Sequence, residues 1–256
     1  MADWSASQYL KFKKERTQAA IDLAGRIDIA DPSDILDVGC GPGNSTAVLQ
    51  EAYPKARILG IDNSDDMICA AKAAHPSLEF QKCDASTELA ALGKSFDIVF
   101  SNACLQWIPN HRQLISNLMK LLTPGGELAV QIPMNYDEPV HQIIGRIAKS
   151  EPWCKKFSNP RTYYNLAPEE YYDLLANEAS DFSMWQTTYF HRMQSHEAIM
   201  EWYRATGLRP YLDALCDEDA AVFYQMVLTE IEKAYPKQEN GEVIFRFPRF
   251  FFVAKK

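Results

Sequence analysis

Asp37-Val38-Gly39-Cys40-Gly41-Pro42-Gly43 follows the apolar pair Ile35-Leu36 and leads into Asn44-Ser45-Thr46. Ile35 to Val38 reads as a short buried strand, the glycines as a tight turn, and the residues from Asn44 or Ser45 to about Gln50 as a helix. Glycine lets a backbone turn sharply and approach a ligand closely, because no Cβ intervenes. Strand, glycine turn and helix in this order open α/β folds that bind nucleotides, although the same run also serves as a plain strand-to-helix connector.

The alternation continues on both sides. Arg57 to Ile61, Leu78 to Lys82, Phe96 to Ser101 and Glu127 to Ile132 read as strands; Ser64 to Ala74 and His111 to Leu122 read as helices, the second stopped by Pro124-Gly125-Gly126. Upstream, Ser7 to Ile29 carries apolar residues at the spacing of one or two helices. Strands alternating with helices imply βαβ units and a mostly parallel sheet. Past Pro133 the pattern predicts helix His141 to Lys149, an irregular stretch Glu151 to Asn165, helix Pro168 to Ala179, strand Phe182 to His191, helices Ser195 to Leu215 and Asp217 to Ala234, and strand Val243 to Ala254. Pro248 points to an edge position or a bulge in that last strand. Residues 1–132 with 168–191 and 243–256 are expected to form a nucleotide domain with N-terminal helices, and 133–167 and 192–242 helical insertions serving as a substrate lid.

The 256 residues are 47% hydrophobic and 23% charged, enough for one full core plus an accessory region. A net charge of -8 gives no broad basic surface, which argues against nucleic acid as a partner. No stretch approaches the roughly 20 apolar residues of a membrane span. Six cysteines without a C-x-x-C pair and an N-terminus without an apolar signal region suit a reducing cytoplasm. The oligomeric state is open, with a monomer compatible.

Two acids sharpen the glycine turn. Asp62 follows the second strand, where a carboxylate can accept both hydroxyls of a ribose, and Asp84 follows the third, where one can accept from an adenine amine. The alternative is that both merely cap the next helix. A dinucleotide fingerprint wants G-x-G-x-x-G, yet Asn44 stands at the last place and Gly43 comes one too early. S-adenosylmethionine, which lacks a pyrophosphate and carries an ammonium and a sulfonium, suits acids such as Asp37 better.

Asp37 to Thr46, Gly60-Ile61-Asp62, Cys83-Asp84, Ser101-Asn102-Ala103 and Leu122-Thr123-Pro124-Gly125-Gly126 together resemble the class I S-adenosylmethionine-dependent methyltransferases. Asn102 to His111, Thr187-Thr188-Tyr189, Thr206 to Pro210, Glu239-Asn240-Gly241 and Phe247-Pro248-Arg249 are similar, over essentially the whole chain, to the branch that esterifies trans-aconitate. The resemblance implies a Rossmann-like α/β fold with seven strands ordered 3-2-1-4-5-7-6, strand seven antiparallel. It implies a cofactor site of Asp37, Gly39, Cys40, Gly41, Gly43, Asp62, Asn63, Met67, Asp84, Ala85, Asn102 and Trp107, with Trp107 either stacking on the cofactor or sealing the core. Tyr9 and Arg16 would close over it or remain surface helix residues.

A carboxylate nucleophile with a pKa of about 4 is already ionised at neutral pH, so no general base is needed and no catalytic side chain is expected. Orientation and exclusion of water suffice. A small polyanion still needs local donors. Arg161, His191, Arg192, Arg204 and Arg209 are the basic candidates, with Tyr136, Tyr163, Tyr164, Tyr189, Trp202 and Tyr203 as walls or hydroxyl donors; Tyr136, Tyr164, His191, Tyr203 and Arg209 are the chosen set. The competing reading of each arginine is a solvated surface charge, and of His191 a structural histidine. His75, His111, His141 and His196 read as helix-end or surface residues, and no metal site is expected. The remaining alternatives are methylation of a hydroxyl or amine, which would require a base such as His191, a nicotinamide oxidoreductase, and a non-catalytic cofactor sensor.

Overall fold

Strand β1 (Asp34–Val38) lies at the centre of a sheet because four of its five residues are buried and its neighbours on both sides are equally apolar. The computed structural model describes residues 13–157, 163–204 and 206–256. β1 pairs in parallel with β2 (Arg57–Asp62) and with β4 (Phe96–Asn102), placing Leu36 opposite both Leu59 and Val99. β2 pairs in parallel with β3 (Glu79–Lys82), and β4 with β5 (Leu122–Pro133). β6 (Asp181–Met193) and β7 (Val243–Lys255) complete the order β3-β2-β1-β4-β5-β7-β6, as the resemblance implied.

Helices α1 (Lys13–Ala24), α2 (Asn44–Ala52), α3 (Asp65–Ala74), α4 (His111–Lys120), α5 (Pro139–Ala148), α6 (Pro168–Glu178), α7 (His196–Arg204), the one-turn α8 (Arg209–Leu212) and α9 (Asp217–Ala234) intervene. α3 starts where it does because the Ser64 hydroxyl accepts from Met67 N at 3.3 Å, and Asp65 and Asp66 in its first turn suit the positive end of the helix. It buries Met67, Ile68 and Ala71, and the last two pack with Cys40 and Phe80. α6 begins with Pro168, where the missing N–H costs nothing.

Four expectations change. Pro124-Gly125-Gly126 does not merely end a helix: Phe96 pairs with Leu122 but Ile98 with Glu127, so the segment loops out of a single strand β5 that starts five residues earlier than predicted. The helix expected over Ser195 to Leu215 breaks into α7 and α8, with Gly207 and the turn around it between them. β7 is flanked by β5 and β6, so Pro248 does not mark an edge; its carbonyl accepts from Met134 N at 3.1 Å and only the donor is lost. His111 and His196 do open helices, but at 1% and 6% exposure they are buried rather than superficial.

The described residues up to Pro133, Tyr163–Thr187 and Phe250–Lys256 form one compact unit; those from Met134 to 157 and Thr188–Arg249 form a second. The division passes through β6 and β7, not around them. Among the described residues no helix is long and apolar enough to cross a membrane.

Candidate functional site

In the first unit the turn after β1 is set by backbone and by acids together. Gly39 and Cys40 both donate to Ile61 O, at 2.8 and 2.9 Å. Gly39 has φ of 72°, and a Cβ there would stand 2.1 Å from Cys104 Sγ. Gly41, with φ of 54°, is different: a Cβ would meet nothing within 4 Å, so its backbone faces open space. Gly43 is the residue before α2 and also lies in the left-handed region.

Asp37 is fully buried at the end of β1. Its Oδ2 accepts from Ser45 Oγ and Thr46 Oγ1, both at 2.7 Å, while Oδ1 has no hydrogen-bond partner among the described residues. Burial raises its pKa to about 6, partly countered by the two hydroxyls. Asp62 accepts from Gly41 N on Oδ2 and from Ser64 N on Oδ1, each at 3.0 Å. Asp84 Oδ1 takes both Ser86 N (2.8 Å) and Ser86 Oγ (2.6 Å), which is the local capping role foreseen as the alternative.

These three carboxylates surround one thiol. Cys104 is pushed up first by burial, then by Asp62, Asp37 and Asp84, and Cys40 first by burial, then by Asp37 and Asp62. Both thiols stay protonated at neutral pH, so neither is a nucleophile. Met67 and Ala85 are buried beside this end of the sheet and Asn63 is exposed. Asn102, at the end of β4, has its Oδ1 buried without a partner among the described residues. Trp107 is half-buried and packs against Tyr163, ring centres 4.8 Å apart, while Tyr164 is 41% exposed and its N–H donates to Gln106 O at 3.0 Å. An open glycine backbone, three acids and two orphaned buried acceptors fit a cationic ligand with an amine and a diol, which is the chemistry of S-adenosylmethionine.

The second unit holds an aromatic and polar cluster. Strand alternation puts Tyr189, His191 and Met193 on one face of β6, and Phe245, Phe247 and Arg249 on one face of β7. His191 is stacked with Trp202 at 5.0 Å and with Tyr189 at 6.0 Å; its Nε2 is buried with no hydrogen-bond partner among the described residues. Burial, and secondarily the Arg249 charge, lowers its pKa to about 4. Tyr203 is buried, with Asn135 Nδ2 donating to its hydroxyl at 2.9 Å, and its ring meets His141 at 5.1 Å; Tyr136 also meets His141, at 5.8 Å.

The arginines sort differently from the sequence-based choice. Arg209 pairs with Asp213 at 3.2 Å, Arg204 with Glu201 at 3.3 Å, and Arg192 with both oxygens of Glu242 at 2.9 Å. Arg161, Tyr9 and the side chain of Arg16 lie outside the described residues. Arg249, not among the candidates, is 2% exposed and sits over Phe247 at 4.6 Å and Tyr189 at 5.8 Å. The only signal in the sequence was Phe247-Pro248-Arg249 itself; an arginine in a terminal strand ordinarily reads as solvated. Among the described residues no group of histidines, cysteines and acids is placed to hold a metal ion.

A family model described as a methyltransferase domain matches residues 35–126. A trans-aconitate 2-methyltransferase of Azoarcus sp. is 43% identical over 255 residues, covering 99% of each chain. One from Methylobacterium radiotolerans is 42% identical over 260 residues, covering 100% of this chain and 99% of the relative. Among solved structures, the YcgJ protein of Bacillus subtilis matches 93% of this chain and 98% of its own with a TM-score of 0.59 at 14% identity. A Haemonchus contortus phosphoethanolamine N-methyltransferase 2 matches 94% of this chain and 53% of its own with a TM-score of 0.53 at 17% identity. At those identities the two structures speak to fold alone.

Proposed function

This chain belongs to the trans-aconitate 2-methyltransferase family, and we propose that it esterifies a carboxylate of trans-aconitate with the methyl group of S-adenosylmethionine, yielding the monomethyl ester and S-adenosylhomocysteine. The observation that carries this reading is identity of 43% sustained over 99% of both chains. When bound, S-adenosylmethionine supplies an electrophilic methyl group that a carboxylate oxygen takes up as the carbon–sulfur bond breaks, the electron pair staying on sulfur and no proton moving.

The protein's residues position the two reactants. Asp37 Oδ1 would accept from the ammonium of the methionine tail, beside the open backbone of Gly41 in the turn formed with Gly39, Cys40 and Gly43. Asp62, at the end of β2, would accept from the ribose hydroxyls, and Asp84, after β3, from the adenine amine. Met67 and Ala85 form apolar walls, with Asn63, Asn102 and Trp107 completing the site. Tyr136, Tyr203 and His191 form the acid's surroundings, with Tyr164 and Arg209 as outer contacts. His191 is neutral at pH 7 and donates or accepts one bond without adding charge. Because the acid arrives ionised, His191 has no proton to remove, and rate comes from alignment and from keeping water out.

Incubating the purified protein with methyl-labelled S-adenosylmethionine and a panel of organic acids tests this reading. Label in a product that mild alkali releases, strongest with trans-aconitate, is the expected result. Label in no acid, or only in an alkali-stable product, overturns it.

A further inference from the structure

Resting on the placing of S-adenosylmethionine at the glycine turn, we infer that Gln106 is a positioning residue for the cofactor: its side chain holds the turn after β4 in the shape that sets Cys104 against Gly39. β4 and β5 stay joined one residue past Asn102, where Ala103 N donates to Gln131 O at 2.9 Å. Ala103 then turns with φ of 56°, a left-handed conformation that is costly for an L-residue and free for glycine. Cys104 follows, and its Sγ fills the side of Gly39 where a Cβ would lie, 2.1 Å from that position. The turn after β4 thus backs the turn after β1, and the shape of one limits the shape of the other.

Asn110, the other described non-glycine residue at positive φ, supports itself with a side-chain oxygen that accepts from Gln113 N. Ala103 has no such group, so its hold comes from outside. Gln106 Nε2 donates to Ala103 O at 2.7 Å, and because a carbonyl only accepts, the amide's orientation is fixed. Gln106 is 3% exposed, and its Oε1 is buried with no partner among the described residues. An orphaned acceptor lowers stability, so methionine or leucine would fill this space better; the donor to Ala103 is what glutamine adds. Gln106 is itself anchored. Its carbonyl accepts from Tyr164 N at 3.0 Å, Leu105 O before it meets His111 Nε2 at 2.8 Å, and the Trp107 ring after it packs on Tyr163 at 4.8 Å.

Gln106→Met and Ala103→Gly, singly and together, test the assignment by calorimetric binding of S-adenosylhomocysteine, measured without any acid and so independent of which acid is methylated. In Gln106→Met the left-handed conformation loses its hold and binding must meet its cost, an expected weakening of roughly 5- to 30-fold. KM for S-adenosylmethionine rises in step, while KM for trans-aconitate changes by less than about twofold; a merely structural defect would move both. Ala103→Gly alone, and Ala103→Gly combined with Gln106→Met, are expected to bind within about threefold of the wild type, since glycine needs no outside hold. Undiminished binding by Gln106→Met, an equal rise in both KM values, or weak binding by either glycine variant overturns the inference. Should Gln106→Met fail to fold, the double variant decides: one that folds and binds upholds the inference, and one that does not overturns it. A wild-type protein that binds no S-adenosylhomocysteine overturns the placing of the cofactor at the glycine turn, and the inference with it.

Discussion

At Gly39 the whole turn depends on one hydrogen atom. An added Cβ would sit 2.1 Å from Cys104 Sγ and 2.3 Å from Cys104 Cβ, at a φ of 72° that costs an L-residue roughly 1–2 kcal/mol by itself. Gly39→Ala is therefore expected to lower stability by several kcal/mol in thermal melts. The rescue pattern is specific: Cys104→Ala leaves the Cβ in place and should not help, whereas Cys104→Gly removes it and should restore part of the loss; equal behaviour of the two double variants refutes the contact. Asp37 behaves in the opposite sense. Its burial makes the charge costly in the empty protein, and Asn can keep both hydroxyl bonds on one oxygen while setting an NH2 where Oδ1 stands. Asp37→Asn should leave the melting temperature of the free protein unchanged or higher, yet weaken S-adenosylmethionine binding by about tenfold or more in calorimetry. Lower stability with intact binding would show Asp37 to be structural. Asp37, Asp62 and the glycines were legible in sequence because their constraint is local: each stands at the end of a strand. Arg249 was not, since its burial is made by Phe247 and Tyr189 on two strands more than fifty residues apart.

Between elements, the clearest tie is the one joining α4 to α6. His111 Nε2 meets Leu105 O at 2.8 Å, and a carbonyl only accepts, so Nε2 carries the proton; Nδ1 is bare and accepts from the Tyr171 hydroxyl. Tyr171 is wholly buried and stacked against Phe250 at 5.4 Å. Tyr171→Phe keeps the ring but strands Nδ1 without a donor, which costs about 1–3 kcal/mol. In a chain of this size that is a fall of roughly 2–10 °C in melting temperature; a change within error would mean that water replaces the hydroxyl. Such ties explain what the sequence hid about elements. The apolar period located α9 to the residue and α3 to within one, but a histidine at the start of a helix carries no mark of whether a tyrosine sixty residues away will bury it. Likewise Pro124-Gly125-Gly126 signals a break in regular structure without saying that β5 resumes in the same strand beyond it.

Across the molecule, alternation implied a mostly parallel sheet and the family resemblance alone implied its strand order, whereas the division into two units inside β6 and β7 depends on long-range packing that no local pattern encodes. The same packing sets the response to acid. Burial lowers the pKa of His141 and His191 to about 4 each, and of His111 as well. Each binds a proton less readily folded than unfolded, so stability is full above the unfolded value near 6.5 and is lost as pH falls toward 4. By pH 5 the first two cost about 2 kcal/mol each. Asp37 works the other way: raised from 3.8 to about 6, it takes up a proton in the folded state first and returns roughly 1 kcal/mol over the same range. The carboxylates held low by arginine or lysine, such as Asp34 beside Arg57 and Glu242 beside Arg192, lose their pairing only below about pH 4 and are screened by solvent. The histidines therefore dominate between pH 7 and 5, and a net loss of about 3 kcal/mol, roughly 5–10 °C in melting temperature, is expected. His191→Gln, which cannot take a proton, should flatten that slope by about two-thirds. A melting temperature that holds constant or rises from pH 7 to 5 would mean that these rings are open to water, and with them the aromatic cluster around Arg249.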